Sequence, residues 1–208
     1  MATSRILLIT GFAPFRGERI NPSWEIARSL DGDEIGALKV KSVKIPVGCA
    51  AAVRRLNAAI VRYRPRAILG LGQAGGRPAI SIEKVAINLA DENAGQGDSL
   101  GPSARAVVAG APEAYFARLP IPAVMREMRR REIPAQVSLS AGAYACNALM
   151  YASLHLTRRR QNLPVGFIHL PYDSRQSVRH PNAPSMAIDV METAIRAVAA
   201  IIARAAAS

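Results

Sequence analysis

Short apolar runs alternate along the chain with segments of helical period. The runs at residues 5–10, 38–46, 67–71, 80–89, 135–139 and 165–170 have the length and β-branched content of strands. Apolar residues recur at three- and four-residue spacing over 22–30, 50–63, 122–132, 146–158 and 185–206, which predicts helices. In the last of these, Ile188, Met191, Ile195, Val198 and Ile202 form one stripe suited to packing on a sheet, with a subunit interface as the other use. The alternation reads as an α/β chain with one central sheet covered on both faces. The 67–71 and 80–89 strands are joined by a short link that allows antiparallel pairing, so the sheet is expected to be mixed. Asn21 followed by Pro22 marks a helix start, with Asn as cap and Pro at the first helical position. The polar, glycine-containing stretch 91–102 reads as a surface loop.

Half of the 208 residues are hydrophobic, enough for one substantial core, and residues 1–208 are expected to form a single domain. No apolar stretch approaches the roughly 18 residues a spanning helix needs. The short run after Met-Ala-Thr-Ser-Arg is no secretory core, and the two cysteines lie far apart, which together point to a reducing, cytoplasmic setting. The formal charge of +12 raises the possibility of a polyanion partner. However, the densest basic runs, 126–132 and 158–160, fall on predicted surface helices or at their ends, with no interleaved aromatic and no reading motif. Solvated faces and helix-end charge explain them, and no specific nucleic acid is expected.

With two cysteines and three histidines, a cysteine-rich metal cluster or a disulfide framework is excluded, and no metal is expected. Cys146 follows a predicted strand and a turn containing Gly142, and falls in the first turn of the next helix. There, unpaired backbone N–H groups favour a thiolate and can donate to a developing oxyanion. The plain alternative is a small buried hydrophobe, and Cys49, among Gly48, Ala50 and Ala51, keeps that reading. His169 closes the 165–170 strand, at the end where α/β sheets bind ligands; a hydrogen-bonded core role is its alternative. His155 and His180 read as exposed helix and loop residues. Strand alternation places Glu83 with Val85 and Ile87 on an apolar face, where an ionised carboxylate needs a donor. An imidazole oriented by Glu83 would meet that need and complete a Cys-His-Glu arrangement; an outward-facing strand or a pairing with an arginine would also meet it. The glycine-rich turns at 10–17 and 70–77 can line a pocket, though neither has dinucleotide or P-loop spacing.

Successive blocks of the chain resemble the pyroglutamyl-peptidase I family of cysteine peptidases. They are Gly11-Phe12-Ala13-Pro14-Phe15, Ile20-Asn21-Pro22-Ser23-Trp24-Glu25, Gly72-Gln73-Ala74-Gly75-Gly76-Arg77, Glu83-Lys84-Val85-Ala86-Ile87-Asn88, Ala141-Gly142 with Cys146-Asn147, and Gly166-Phe167-Ile168-His169-Leu170-Pro171-Tyr172. The resemblance covers nearly the whole chain. It implies a three-layer α/β/α sandwich around a twisted mixed sheet, a cytosolic homodimer or homotetramer, no cofactor, and removal of an N-terminal pyroglutamyl residue from peptides through a thioester. It further implies Cys146 as nucleophile, His169 as base and Glu83 as the residue orienting it. Phe12 and Phe15 would form an aromatic floor for the uncharged ring, with Asn21, Gln73, Tyr144 and Ala145 at pocket positions. Such a site should reject an open-chain, charged N-terminal glutamate or glutamine. Many relatives carry Ala-Arg-Ile-Pro-Asp-Asn where this chain has Leu89-Ala90-Asp91-Glu92-Asn93-Ala94, so any arginine contributed there is absent. Arg16 stands where glycine is usual, and Tyr144-Ala145 replaces a bulkier apolar pair. A phosphorylase-like enzyme on a related fold and a basic, non-catalytic binding module are the competing readings.

Overall fold

The computed structural model describes residues 5–93, 101 and 104–207. In chain order the elements are β1 (Ile6–Phe12), α1 (Pro22–Ser29), β2 (Glu34–Ile35), β3 (Leu38–Ile45), α2 (Cys49–Tyr63), β4 (Ala67–Gln73), β5 (Ile80–Glu83) and β6 (Val85–Ile87). There follow β7 (Ala114–Phe116), α3 (Ile121–Arg130), β8 (Ala135–Ser138), α4 (Ala145–Leu156), β9 (Val165–Leu170), β10 (Tyr172–Asp173), β11 (Ser185–Met186) and α5 (Ile188–Ala207). Seven strands form one sheet in the order β2-β3-β1-β4-β9-β5-β8. The central strands β3, β1, β4 and β9 are parallel, while β5 runs antiparallel to β9 and parallel to β8. Helices α1, α3 and α5 cover one face, and α2 and α4 the other, so the α/β/α sandwich with a mixed sheet is what the chain forms.

Burial explains the strand patterns. Leu7, Leu8 and Ile9 are fully buried in succession because β1 has helices on both faces, which favours a continuous apolar run over alternation. Each such side chain contributes roughly 1.5–3 kcal/mol through burial. The stripe of α5 packs on the sheet as expected, with Met191, Ile195, Val198 and Ile202 buried. Helix α4 is buried nearly all round, because the sheet, α2 and the β6–β7 hairpin enclose it. Glycine is required at Gly11, where a Cβ would sit 2.2 Å from the Ser23 carbonyl oxygen. That contact brings the start of α1 directly against β1, and the Phe12 N–H donates to Ser23 Oγ at 3.0 Å.

Two sequence expectations change. The 80–89 segment is not one strand: it leaves the sheet at Lys84, and β6 pairs with β7 in a separate hairpin. Strands β4 and β5 do not pair, because β9 lies between them. A non-local strand claims the edge of β4 and satisfies it with parallel bonds, leaving β5 to pair on the far side of β9. No helix among the described residues is long and apolar enough to cross a membrane.

Candidate active site

The chain crosses the sheet between β1 and β4. From β1 it runs outward to β3, and from β3 it returns through α2 to β4 on the opposite side of β1. The loops diverge at this point and leave a crevice at the carboxyl ends of the strands, the usual ligand position in open α/β sheets. The crevice is lined by Phe12, Phe15, Asn21, Val47, Gln73 and Tyr144, with Ala145 and Cys146 at its far wall. Its volume, about 30 Å³, is far below the usual range for small-molecule pockets, so the crevice is a narrow apolar slot beside the sulfur.

Local structure places each wall. Asn21 caps α1 as expected. Its Oδ1 accepts from the Ser23 N–H at 3.0 Å and from Ser23 Oγ at 2.7 Å, and its Nδ2 donates to the Ala13 carbonyl at 3.2 Å. The cap therefore also fixes the turn that carries Phe15. Asn21 is fully buried, so its amide serves this scaffold before any ligand. Tyr144 is the cap residue of α4 and has no side-chain cap bond, which puts Cys146 in the first helical turn.

The sheet register brings the candidate chemistry together. Gly72 of β4 pairs with His169 of β9, and register partners project to the same face. A Cβ on Gly72 would lie 3.0 Å from Cys146 Sγ, so His169 projects onto the face the sulfur occupies. On the other side of β9, Ser81 pairs with His169 and Glu83 with Phe167, which sets Glu83 diagonally across from the imidazole. Glu83 Oε1 meets His169 Nδ1 at 2.7 Å, with the carboxylate fully buried. Because a carboxylate only accepts, Nδ1 carries the proton and Nε2 is left as the basic nitrogen. The Phe167 ring packs edge-on against the imidazole, 4.9 Å between centroids.

Arg77, which sequence reasoning did not place in the site, donates from Nη1 to Glu83 Oε1 at 2.8 Å and from Nη2 to the Ser140 carbonyl at 3.2 Å. It lies in the glycine-rich turn before β5, and the only sequence signal for it was that turn. Burial by itself raises the Glu83 carboxyl, but hydrogen bonds from His169, Ser138 and Arg77 outweigh it and hold the group ionised below its usual range. Burial lowers His169 despite the carboxylate beside it. Burial, then the Glu83 charge and Cys49, push the Cys146 thiol up to about 12, with Arg77 opposing. Burial thus favours the uncharged forms of both Cys146 and His169, which share one side of the sheet. The helix-end pull toward thiolate expected from the sequence opposes this burial, and Cys146 keeps partial exposure to the crevice.

The expected surface loop begins inside the molecule. Asp91 is fully buried; its carboxylate accepts from the Asn93 N–H at 2.9 Å and the Gly101 N–H at 2.6 Å, while its own N–H donates to Ala143 O at 2.8 Å. Residues 94–100 and 102 of that stretch lie outside the described residues. The Glu92 carboxylate accepts from the N–H groups of Cys49 at 3.0 Å and Ala50 at 3.2 Å, capping α2 from outside. Asn147 holds the same segment to α4 by accepting from Ile87 N–H at 2.9 Å and donating to Ile87 O at 2.9 Å and Leu89 O at 2.8 Å. Cys49 is buried, and burial together with Glu92 pushes its thiol up to about 12.

His155 and His180 are not fully exposed. His155 Nδ1 meets the Tyr115 hydroxyl at 3.0 Å; His180 stacks on Tyr172 at 4.3 Å and its Nε2 meets Glu18 Oε1 at 2.7 Å. Both find polar partners on hydrophobic ring platforms, which a local pattern does not show. Among the described residues, no cluster of histidine, cysteine and acidic side chains could hold a metal ion.

The pyroglutamyl peptidase family model matches residues 5–206. A pyrrolidone-carboxylate peptidase from Chromobacterium violaceum is 44% identical over 192 residues, covering 92% of this chain and 90% of the relative. One from Cupriavidus necator is 41% identical over 198 residues, covering 94% and 92%. The structure of a mutant pyrrolidone carboxyl peptidase from the hyperthermophile Pyrococcus furiosus superposes with a TM-score of 0.87 at 36% identity, covering 95% of this chain and 97% of that one. The chain belongs to the pyroglutamyl peptidase family.

Proposed function

We propose that this protein is a cysteine omega-peptidase that hydrolyses the bond after an N-terminal pyroglutamyl residue, working as one peptidase unit over residues 1–208. The observation that carries the reading is the buried Glu83–His169 pair, joined at 2.7 Å, on the sheet face where the Cys146 sulfur opens into a small apolar crevice. Cys146 Sγ attacks the carbonyl that follows the ring, while His169 Nε2 takes the thiol proton. Glu83 and Arg77 keep the ring oriented and stabilise the imidazolium formed in that step. Backbone N–H groups in the first turn of α4 face the developing oxyanion. His169 then protonates the leaving amine, and water, deprotonated by the same nitrogen, hydrolyses the thioester.

The crevice suits an uncharged lactam. Phe12, Phe15 and Val47 supply apolar walls, Gln73 supplies hydrogen bonding, and Tyr144 and Ala145 close the side next to the sulfur. An N-terminal glutamate, glutamine or proline would carry an ammonium into this apolar space at high cost. The cytoplasm is the setting proposed for the enzyme, as a homodimer or homotetramer acting on peptides without a cofactor. Neither a phosphorylase nor a polyanion-binding reading draws support from the site, which pairs an acid, an imidazole and a thiol. The test is release of a fluorescent amine from a pyroglutamyl amide beside the glutamyl and prolyl amides, before and after thiol alkylation. Selective cleavage that alkylation removes is expected; a folded, reduced sample that leaves all three intact refutes the proposal.

A further inference from the structure

One wall of the crevice is held by a hydrogen-bond chain that has a fixed direction. Gln176 ends a short 3-10 turn, Ser174–Gln176, after β10 and is 2% exposed. The Asp173 backbone N–H donates to Gln176 Oε1 at 2.9 Å, so the oxygen end of that amide is set by an obligatory donor. At the other end, Gln176 Nε2 donates to Glu18 Oε2 at 2.9 Å and to Gln73 Oε1 at 3.1 Å. Glu18 only accepts while ionised, and hydrogen bonds from Gln176 and His180 hold it below its usual range. Both ends of Gln176 are therefore fixed independently, and Gln73 has to receive the bond on its oxygen. Its Nε2 group takes no hydrogen-bond partner among the described residues, and Gln73 lines the crevice with Phe12, Phe15 and Cys146.

We propose that Gln176, held by the Asp173 N–H and Glu18, is a positioning residue that fixes the Gln73 side chain with its NH₂ toward the crevice, so that the site selects a ring bearing a carbonyl acceptor. The proposal rests on the peptidase reading above and names what in this chain sets its ring specificity. A lactam carbonyl accepts from Gln73, while a ring with a methylene there leaves the donor unpaired in an apolar space, which is the stronger form of discrimination. The fixed chain also removes the alternative Gln73 orientation, in which its NH₂ would meet the Gln176 NH₂ and its oxygen would face the lactam carbonyl.

Two variants test it by steady-state kinetics on a pyroglutamyl coumarinylamide, with thermal melts alongside. Q73E keeps the shape and still accepts from Gln176, but presents oxygen to the crevice. KM should rise about thirtyfold or more in the folded protein, in line with loss of one buried hydrogen bond and its replacement by repulsion, and the melting temperature should fall because a carboxylate replaces a buried neutral amide. Q176M frees the Gln73 amide to turn over, and KM should rise about three- to tenfold with kcat within about twofold, the pattern of lost ground-state binding. A KM within twofold of wild type in Q73E overturns the proposal, as does a Q176M that lowers kcat and leaves KM unchanged. Should Q176M not fold, Q176E replaces it: it keeps the oxygen that the Asp173 N–H binds but turns oxygen toward Gln73, so KM should rise as in Q73E, and an unchanged KM overturns the positioning role. A wild-type enzyme with no activity on the amide defeats the peptidase reading and this inference with it; a cleaving wild type with an indifferent Q73E defeats this inference only.

Discussion

Gly72→Ala places one methyl group between the candidate nucleophile and the ring that supports the candidate base. The added Cβ would lie 2.8 Å from Phe167 Cζ, 3.0 Å from Phe167 Cε1 and 3.0 Å from Cys146 Sγ. Carbon and sulfur prefer separations near 4 Å, so either the sulfur or the Phe167 ring moves by several tenths of an ångström. Phe167 is fully buried and packs on His169, so it has little room to yield. Overpacking of this kind costs roughly 1–3 kcal/mol, and a drop in melting temperature of about 2–4 °C per kcal/mol follows for a chain of this size. The larger effect should be on turnover, because a displacement approaching 1 Å at a reacting atom costs on the order of 10²-fold. Gly166→Ala is the control. Its Cβ would meet Leu119 Cδ1 at 2.3 Å, on the other face of β9 and away from the sulfur. Melting curves and kcat/KM on a pyroglutamyl amide separate the two: both variants should lose stability, and only Gly72→Ala should lose activity in the folded fraction. Full activity in a folded Gly72→Ala, or equal activity loss in Gly166→Ala, would show that the sulfur does not work where the geometry puts it.

Cys146→Ser should lower kcat by at least about 10³-fold with the fold intact, whereas Cys49→Ser should leave it within about twofold; equal loss in both, measured on the same amide, moves the nucleophile elsewhere. Glu92→Ala removes the acceptor for two N–H groups at the start of α2 and should cost about 1 kcal/mol, read as a lower melting temperature. His169 is held below its ordinary 6.5, so the acid limb of kcat/KM should fall only below pH 6.5, where the imidazole takes up a proton and ceases to be a base. Stability should follow the same direction. As pH falls below 6.5 the unfolded chain protonates at His169 before the folded one does, and below 4.5 the same holds for Glu83. Melting temperatures at pH 7.5, 5.5 and 4 should therefore decrease in that order, and a maximum at acid pH would contradict the assignment.

What the sequence carried well was local. The Asn21-Pro22 start of α1, the 165–170 strand and the apolar stripe of α5 each follow from rules acting over a few residues, and each is where the pattern puts it. The burial of Glu83 was legible for a reason the structure corrects. Val85 and Ile87 are not its neighbours on the sheet, since the chain turns out at Lys84; its face is shared with Ser81, Phe167 and His169. Alternation continued unbroken through Lys84, so nothing in the period marked the exit. The insertion of β9 between β4 and β5 was not legible because strand neighbours are chosen by contacts distant in sequence, and 86 residues separate Glu83 from His169. Val47, Arg77 and Gln176 were missed for a similar reason: each acts on a side chain or cavity brought to it by the sheet order, and nothing in its own flanking sequence announces that.

The segment from Leu89 to Asn93 shows how that order also separates charges. Asp91 and Glu92 bring two carboxylates close to the crevice, where they could be expected to oppose thiolate formation. Their charge is taken up locally: Asp91 by the N–H groups of Asn93 and Gly101, and Glu92 by the first N–H groups of α2, with Arg105 3.7 Å away. Glu92 raises Cys49 and Tyr144 electrostatically, whereas the charges acting on Cys146 are those of Glu83 and Arg77, with Cys49 beside them. The acids that anchor the loop thus act on the buried Cys49, and the acid bonded to His169 acts on Cys146, the candidate nucleophile. Neither Asp91 nor Glu92 is therefore among the charges that act on the candidate sulfur. In the proposed attack by Cys146, the nearby charges are those of the Arg77–Glu83–His169 chain, while Asn147 ties the first turn of α4 to Ile87 and Leu89.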